Sequence, residues 1–139
     1  MSLDLSSLEK GVLSLEAALR VAASEKAATF TDEETKVITA GVIQNFEFTY
    51  ELCWKFMRRW IEVNIGRAQS EGVPRRELFR MAAENHLIKD VDTWMGYHQA
   101  RNDTSHTYDS LKAKEIFKIA GDFLADAKNV LGELKQRNA

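Results

Sequence analysis

Apolar residues recur at alternating steps of three and four through most of this chain, which is the period of helices that each bury one stripe. Leu5, Leu8, Val12, Leu15, Leu19 and Ala22 form the first stripe, with Glu9, Lys10, Glu16 and Arg20 off it and facing water. Thr31 followed three residues later by Glu34 has the form of a capping box, and Asp32 and Glu33 add negative charge to the first turn. A second helix is therefore predicted to open at Thr31. No proline interrupts it before Asn64, and Gly66 is placed to end it, which gives a helix about 50 Å long.

That helix carries two apolar stripes. Ile43, Phe46, Tyr50, Cys53, Met57 and Trp60 make one, and Phe48, Leu52, Phe56 and Val63 make the other. A helix apolar on two sides needs partners on both. The second partner is either another copy of the chain, giving a symmetric helix-bundle dimer, or further helices of the same chain. Its polar stripe is Gln44, Glu47, Glu51, Lys55 and Arg58, in which Glu47 and Glu51 are like charges one turn apart that repel unless a cation lies near them. Arg101 is a candidate for that cation, with the two glutamates orienting it; an ordinary solvated face is the alternative.

Residues 65–74 hold Gly66, Ser70, Gly72 and Pro74 and read as the one substantial loop. Pro74 suits the first position of a short helix with Leu78, Met81 and Ala82 inward, and His86 lies near its end. Asp90 can cap the next helix, on which Val91, Trp94, Met95, His98 and Arg101 share a face. His98 reads as a core-edge histidine beside Trp94 or as a neighbour of Arg101. Ser110 can cap a last helix whose inward row runs Ala113, Ile116, Phe117, Ala120, Phe123, Leu124, Ala127, Leu131 and Leu134, after which residues 136–139 are expected to fray. No segment alternates as a strand does. The pattern predicts an all-α protein: an antiparallel four-helix-type bundle with an extra short helix, as one domain over residues 1–139.

The formal net charge of −2 gives no bulk cationic field, which excludes a general nucleic-acid coating protein but leaves room for a focused site. Between residues 55 and 80, seven basic residues stand against three glutamates, a local +4 that leaves −6 for the rest. Cys53 is the sole cysteine, so no intrachain disulfide can form, and the cysteine and histidines are too scattered for a zinc site. The first residues lack the cationic and apolar segments of a signal peptide, and no stretch is long and apolar enough to span a membrane. A cytoplasmic protein is expected.

The densest chemistry lies in Arg101-Asn102-Asp103-Thr104-Ser105-His106-Thr107-Tyr108. Five residues of ideal helix turn the chain by about 500°, so Arg101 and His106 would point to different sides unless the helix ends near Asn102. Asn, Asp, Thr and Ser compete for local backbone hydrogen bonds and favour that ending. Arginine offers a permanent cationic fork for phosphate oxygens, and histidine can accept and return a proton near neutrality. Together they fit phosphoryl chemistry on a phosphodiester, and RNA brings its own nucleophile in the 2′-OH. The plainer alternative pairs Arg101 with a carboxylate, lets His106 cap a turn and packs the Tyr108 ring with its hydroxyl exposed.

Two segments carry a family resemblance. Gln44-Asn45-Phe46-Glu47-Phe48-Thr49-Tyr50-Glu51-Leu52-Cys53-Trp54-Lys55 resembles the signature of the nucleotidyltransferase substrate-binding protein family, small helical proteins of the HEPN superfamily encoded beside a minimal nucleotidyltransferase. Residues 101–108 resemble the HEPN motif in the form found in HepT-like toxins, with a tyrosine two residues after the histidine. The resemblance implies a homodimer, or a higher oligomer, acting as a metal-independent ribonuclease without cofactor. RNA would be its substrate and the nucleotidyltransferase its antitoxin. It further implies that Arg101 stabilises the scissile phosphate, His106 acts as general acid or base, Asn102 helps orient them, and Tyr108 receives AMP. Glu47 and Glu51 become cleft or supporting residues. The competing expectation is a non-catalytic substrate-binding subunit of a nucleotidyltransferase.

Overall fold

The Glu34 amide donates to Thr31 Oγ1 at 3.1 Å, and the Thr31 amide donates to Glu34 Oε1 at 3.0 Å. This reciprocal cap satisfies two backbone donors that a helix start otherwise leaves open. From it the helix α2 runs unbroken over Asp32–Asn64, as predicted. The computed structural model describes residues 2–138. It adds α1 (Ser6–Ala22), α3 (Arg67–Ser70), α4 (Arg75–Glu84), α5 (Val91–Asp103) and α6 (Ser110–Arg137), with 3-10 turns at Glu25–Thr29 and Thr104–His106. Among the described residues there is no strand.

Side-chain pairs fix the direction of each neighbour. Thr49 Oγ1 donates to the Gly11 carbonyl at 3.0 Å and Ser14 Oγ donates to Asn45 Oδ1 at 2.5 Å, so α1 runs antiparallel to α2. Tyr50 meets His98 while Glu47 meets Thr104, which sets α5 antiparallel to α2. Tyr97 meets Asp126 and Asp103 meets Lys112, which turns α6 back along α5. Glu16 with Lys128, and Glu9 with Lys135, close α6 onto α1. The expected antiparallel four-helix bundle is therefore formed by α1, α2, α5 and α6, with α4 as the extra short helix against α2 and α5. Gly11 sets the approach of α1 to α2: a Cβ there would stand 3.0 Å from Leu52 Cδ1 and 3.4 Å from Thr49 Oγ1.

Phe123 of α6 lies at the centre of the core. Its ring contacts Phe46 at 5.2 Å, Tyr97 at 5.0 Å and Trp94 at 5.6 Å between centroids, in the edge-on arrangements that aromatic quadrupoles favour. Phe79 of α4 joins this cluster through Trp94 at 5.7 Å. Cys53 is fully buried, and burial pushes its thiol pKa up, as befits an inert core cysteine. Of the two predicted α2 stripes, the first is buried except for a half-covered Trp60, whereas the second splits. Phe56 is inside, Leu52 is half-covered, and Phe48 and Val63 face out.

Four local expectations are corrected. The segment 65–74 is not wholly loop, because α3 occupies one turn of it and buries Ser70. Asp109, rather than Ser110, caps α6, its Oδ1 accepting the Leu111 amide at 2.9 Å; a carboxylate at the positive helix end is the stronger acceptor. Pro74 is the N-cap of α4 and not its first helical residue. Residues 136–138 are not frayed. Arg137 donates to the carbonyls of Asn85 and His86, and Asn138 exchanges two hydrogen bonds with the Leu3 backbone at 2.7 and 2.8 Å. Residue 139 lies outside the described residues.

Replacing Phe123 by Ala should lower the unfolding free energy by about 3–5 kcal/mol. Thr31→Ala removes one cap and should lower it by only about 1 kcal/mol. Urea titration followed by circular dichroism measures both, and equal losses would contradict the placing of Phe123 at the core's centre.

Candidate functional site

The end of α5 is made by hydroxyls. Thr104 Oγ1 lies 2.7 Å from the Arg101 carbonyl, Ser105 Oγ is 3.3 Å from the Asn102 carbonyl, and Thr107 Oγ1 is 3.3 Å from the Thr104 carbonyl. The Ser105 and Thr107 hydroxyls each donate to a carbonyl at this end, and the Arg101 carbonyl accepts the Thr104 amide. The helix stops at Asp103, one residue past the predicted end, and the chain turns through Thr104–His106.

Arg101, in the last turn of α5, reaches back to α2 between two glutamates. Its Nε donates to Glu51 Oε1 at 3.1 Å, and its Nη1 lies 3.5 Å from Glu47 Oε2. The sequence places like charges at 47 and 51; the fold supplies the cation between them. About a third of each side chain is exposed, so solvent screens the pairs and each is worth about 0–1 kcal/mol. Their consequence is orientation. Glu51 is fixed further by Trp54, whose Nε1 donates to Oε2 at 3.0 Å, and Glu47 by Thr104 Oγ1 at 2.5 Å. Thr104 has one hydroxyl proton, and the shorter contact to a charged acceptor holds it on Glu47 rather than on the Arg101 carbonyl. Among the described residues Arg101 Nη2 has no hydrogen-bond partner, which leaves an edge of the guanidinium for an anion.

The other motif residues lie at the rim. Asn102 and His106 are exposed, and Tyr108 is 87% exposed. The Tyr108 ring stands edge-on to His106 at 6.1 Å between centroids. The side chains of Asn102, His106 and Tyr108 make no hydrogen bond among the described residues; Asn102 contributes its carbonyl alone. Beside them opens a groove of about 630 Å³ whose walls include Thr39, Ile43, Glu47, Thr104, Thr107 and Tyr108.

A second layer lies behind Glu51, which Trp54 joins to it. Tyr50, buried in the core, places its hydroxyl 2.9 Å from His98 Nδ1, while Arg75 Nη1 donates to the same oxygen at 3.4 Å. Burial raises the Tyr50 pKa, so the phenol keeps its proton. Burial first, and then the cations Arg75 and Arg101, lower the His98 pKa, although Glu51 opposes them. The Arg75 guanidinium lies 3.5 Å over the centre of the Trp54 ring. The basic region 55–80 is thus largely engaged: Arg58, Arg76 and Arg80 pair with Glu62, Asp92 and Glu77, while Arg59 and Arg75 cover aromatic rings.

Sequence reasoning misses three of the residues that hold this site together. Trp54 is detectable in principle, since it stands three residues after Glu51 on one helix face. Thr104 reads from sequence only as a turn former. Arg75 comes from another helix, and no local spacing points to it.

A family model described as nucleotidyltransferase substrate binding protein like matches residues 3–136. The chain belongs to that family. A curated relative, the probable ribonuclease HepT of Haemophilus influenzae, is 38% identical over 104 residues, which span 73% of this chain and 70% of the relative. A solved Haemophilus influenzae structure, described as revealing the fold of a substrate binding domain of a nucleotidyltransferase, superposes with a TM-score of 0.88 at 30% identity. It covers 95% of this chain and 99% of that one. A crystal structure from Thermus thermophilus superposes with a TM-score of 0.72 at 26% identity, over 91% and 98% of the two chains. In this HepT-like chain the segment 44–55 lies wholly on α2, turning Phe46, Tyr50 and Cys53 into the core and Glu47 and Glu51 toward Arg101.

A histidine whose folded pKa is lowered binds fewer protons than its unfolded counterpart, so stability should fall as pH drops below the ordinary histidine value of about 6.5. The ring resonances of His98 should titrate below that value by NMR, and His98→Gln should remove that part of the pH dependence of unfolding. A midpoint above the ordinary value would contradict the burial of His98 beside two arginines.

Proposed function

We propose that this protein is a HEPN-type ribonuclease that cleaves RNA without a metal ion, works as a homodimer, and is held in check by a partner nucleotidyltransferase. The observation that carries the reading is Arg101, gripped by Glu47 and Glu51 with one guanidinium edge open, at the start of the turn that exposes His106. The curated relative named a probable ribonuclease supports it.

In this reading an RNA phosphate lies against Arg101. Neutral His106 takes the proton of the 2′-OH, whose oxygen attacks the adjacent phosphorus while the bond to the 5′-oxygen breaks. The charge that develops on the phosphorus oxygens faces the guanidinium. The products are a 2′,3′-cyclic phosphate and a 5′-hydroxyl, so the leaving oxygen needs a proton from an acid. One chain offers one imidazole at this rim, and His106 of a second copy would supply the other. The dimer also has a surface to form on: Phe48 is 63% exposed, and Val37, eleven residues earlier on the same face of α2, is exposed with it.

The nucleotidyltransferase partner follows from the family and from the solved relative described as a substrate binding domain. Tyr108 presents the phenol for modification. Its oxygen would attack the α-phosphate of ATP, pyrophosphate would leave and the phenol proton would pass to solvent. An AMP group there adds a negative charge and bulk beside His106. The same solved relative favours the second reading, a non-catalytic substrate-binding subunit.

Expressed without the partner, the wild type should arrest growth and its purified form should cut RNA in excess EDTA. His106→Ala should lose about 10²–10⁴-fold in cleavage rate, and Arg101→Ala a comparable factor, with the helical signal intact. Cleavage that persists in His106→Ala would sink the mechanism; a folded, inert wild type would leave the binding subunit as the better reading. Tyr108→Phe should keep cleavage but escape neutralisation by the nucleotidyltransferase and ATP.

A further inference from the structure

The groove beside the rim contains more than the cleavage reading uses. It lies between the early turns of α2 and α6 and holds about 630 Å³. Lys36 and Lys114 enter it from the two helices, both exposed and neither in an ion pair among the described residues. The one acidic side chain on its wall, Glu47, is already met by Arg101. The groove is therefore cationic although the chain as a whole is not. Its apolar lining includes the buried Ile43 with Ala40 and Ala113, and Thr35 and Thr39 line it on the α2 side. Tyr108 closes the rim with an uncovered ring.

We propose that this groove is a nucleotide subsite, in which Lys36 and Lys114 hold a phosphate and the Tyr108 ring stacks on a base. Lysines suit phosphate as point charges, and an exposed aromatic ring accepts any base through its π-face. Hydroxyls on one wall can bond a ribose without selecting a sequence. Glu47 and Thr104 both line the groove and both touch Arg101, so a nucleotide seated there adjoins the phosphate that the ribonuclease reading places at Arg101. The inference rests on that reading for its RNA source. The same chemistry would serve an AMP group carried on Tyr108.

The first arm of the test titrates isotope-labelled protein with AMP and follows backbone amides by NMR. Shifts at Thr39, Ala113 and Lys114 that vanish in the Lys36→Ala/Lys114→Ala double variant support the subsite; no shift at the groove in the wild type overturns it, whatever the protein does to RNA. Both lysines are exposed, so the double variant should fold, and its amide spectrum checks that. The second arm measures binding of a short single-stranded RNA to His106→Ala protein over a range of salt. With both lysines removed, affinity should fall roughly tenfold and the log–log salt slope by about 0.7 for each phosphate that is no longer neutralised. An unchanged slope with the AMP shifts intact assigns the subsite to a mononucleotide such as AMP on Tyr108. A wild type that takes AMP here but cuts no RNA would overturn the ribonuclease reading and leave the subsite standing.

Discussion

Glu47 and Glu51 stand one turn apart on α2 and would repel each other if Arg101 did not lie between them. That placement requires the whole bundle. α5 must run antiparallel to α2 at a register that brings its last turn level with residues 47–51, and the register comes from Tyr50 meeting His98 and from the aromatic cluster around Phe123. The ion pairs are too exposed to hold the helices together. Core packing sets the geometry, and the electrostatics then choose one orientation for a side chain with many rotamers.

The same helix divides its work by face. Its inward residues form the core with α1, α5 and α6, and two glutamates on its polar stripe hold the arginine. Phe48, with Val37 three turns away, remains uncovered. Apolar side chains left in water on α2 are what a second copy would cover, which gives the proposed dimer a surface.

Around Arg101 the protein keeps its ionisable neighbours in defined states. Tyr50 stays protonated through burial, His98 is held toward its neutral form by burial and two arginines, and Arg75 is held against Trp54. His106 and Tyr108 sit outside this ordered layer, open to solvent. Residues that position are packed, and residues that would meet a nucleic acid or a modifying enzyme are accessible. That division allows Tyr108 to be altered without disturbing the core.

How much was legible in the sequence follows from the range of each interaction. The capping box at Thr31, the unbroken α2, the cap at Asp90, the end of α5 within one residue and the buried stripe of α6 all depend on residues within a few positions of each other, and the local pattern determined them. Even the Glu47–Arg101–Glu51 grouping could be anticipated, because like charges at one-turn spacing ask for a cation and the chain offered one in its densest polar segment. Only the tertiary structure decided which half of the second α2 stripe is covered. It alone ordered residues 136–138, because their partners are Leu3 and the end of α4, and brought Arg75 to Tyr50 and Trp54 across more than twenty residues of chain. The groove is of the same kind: its lysines stand 78 positions apart in sequence, and packing of α2 beside α6 is what makes them neighbours.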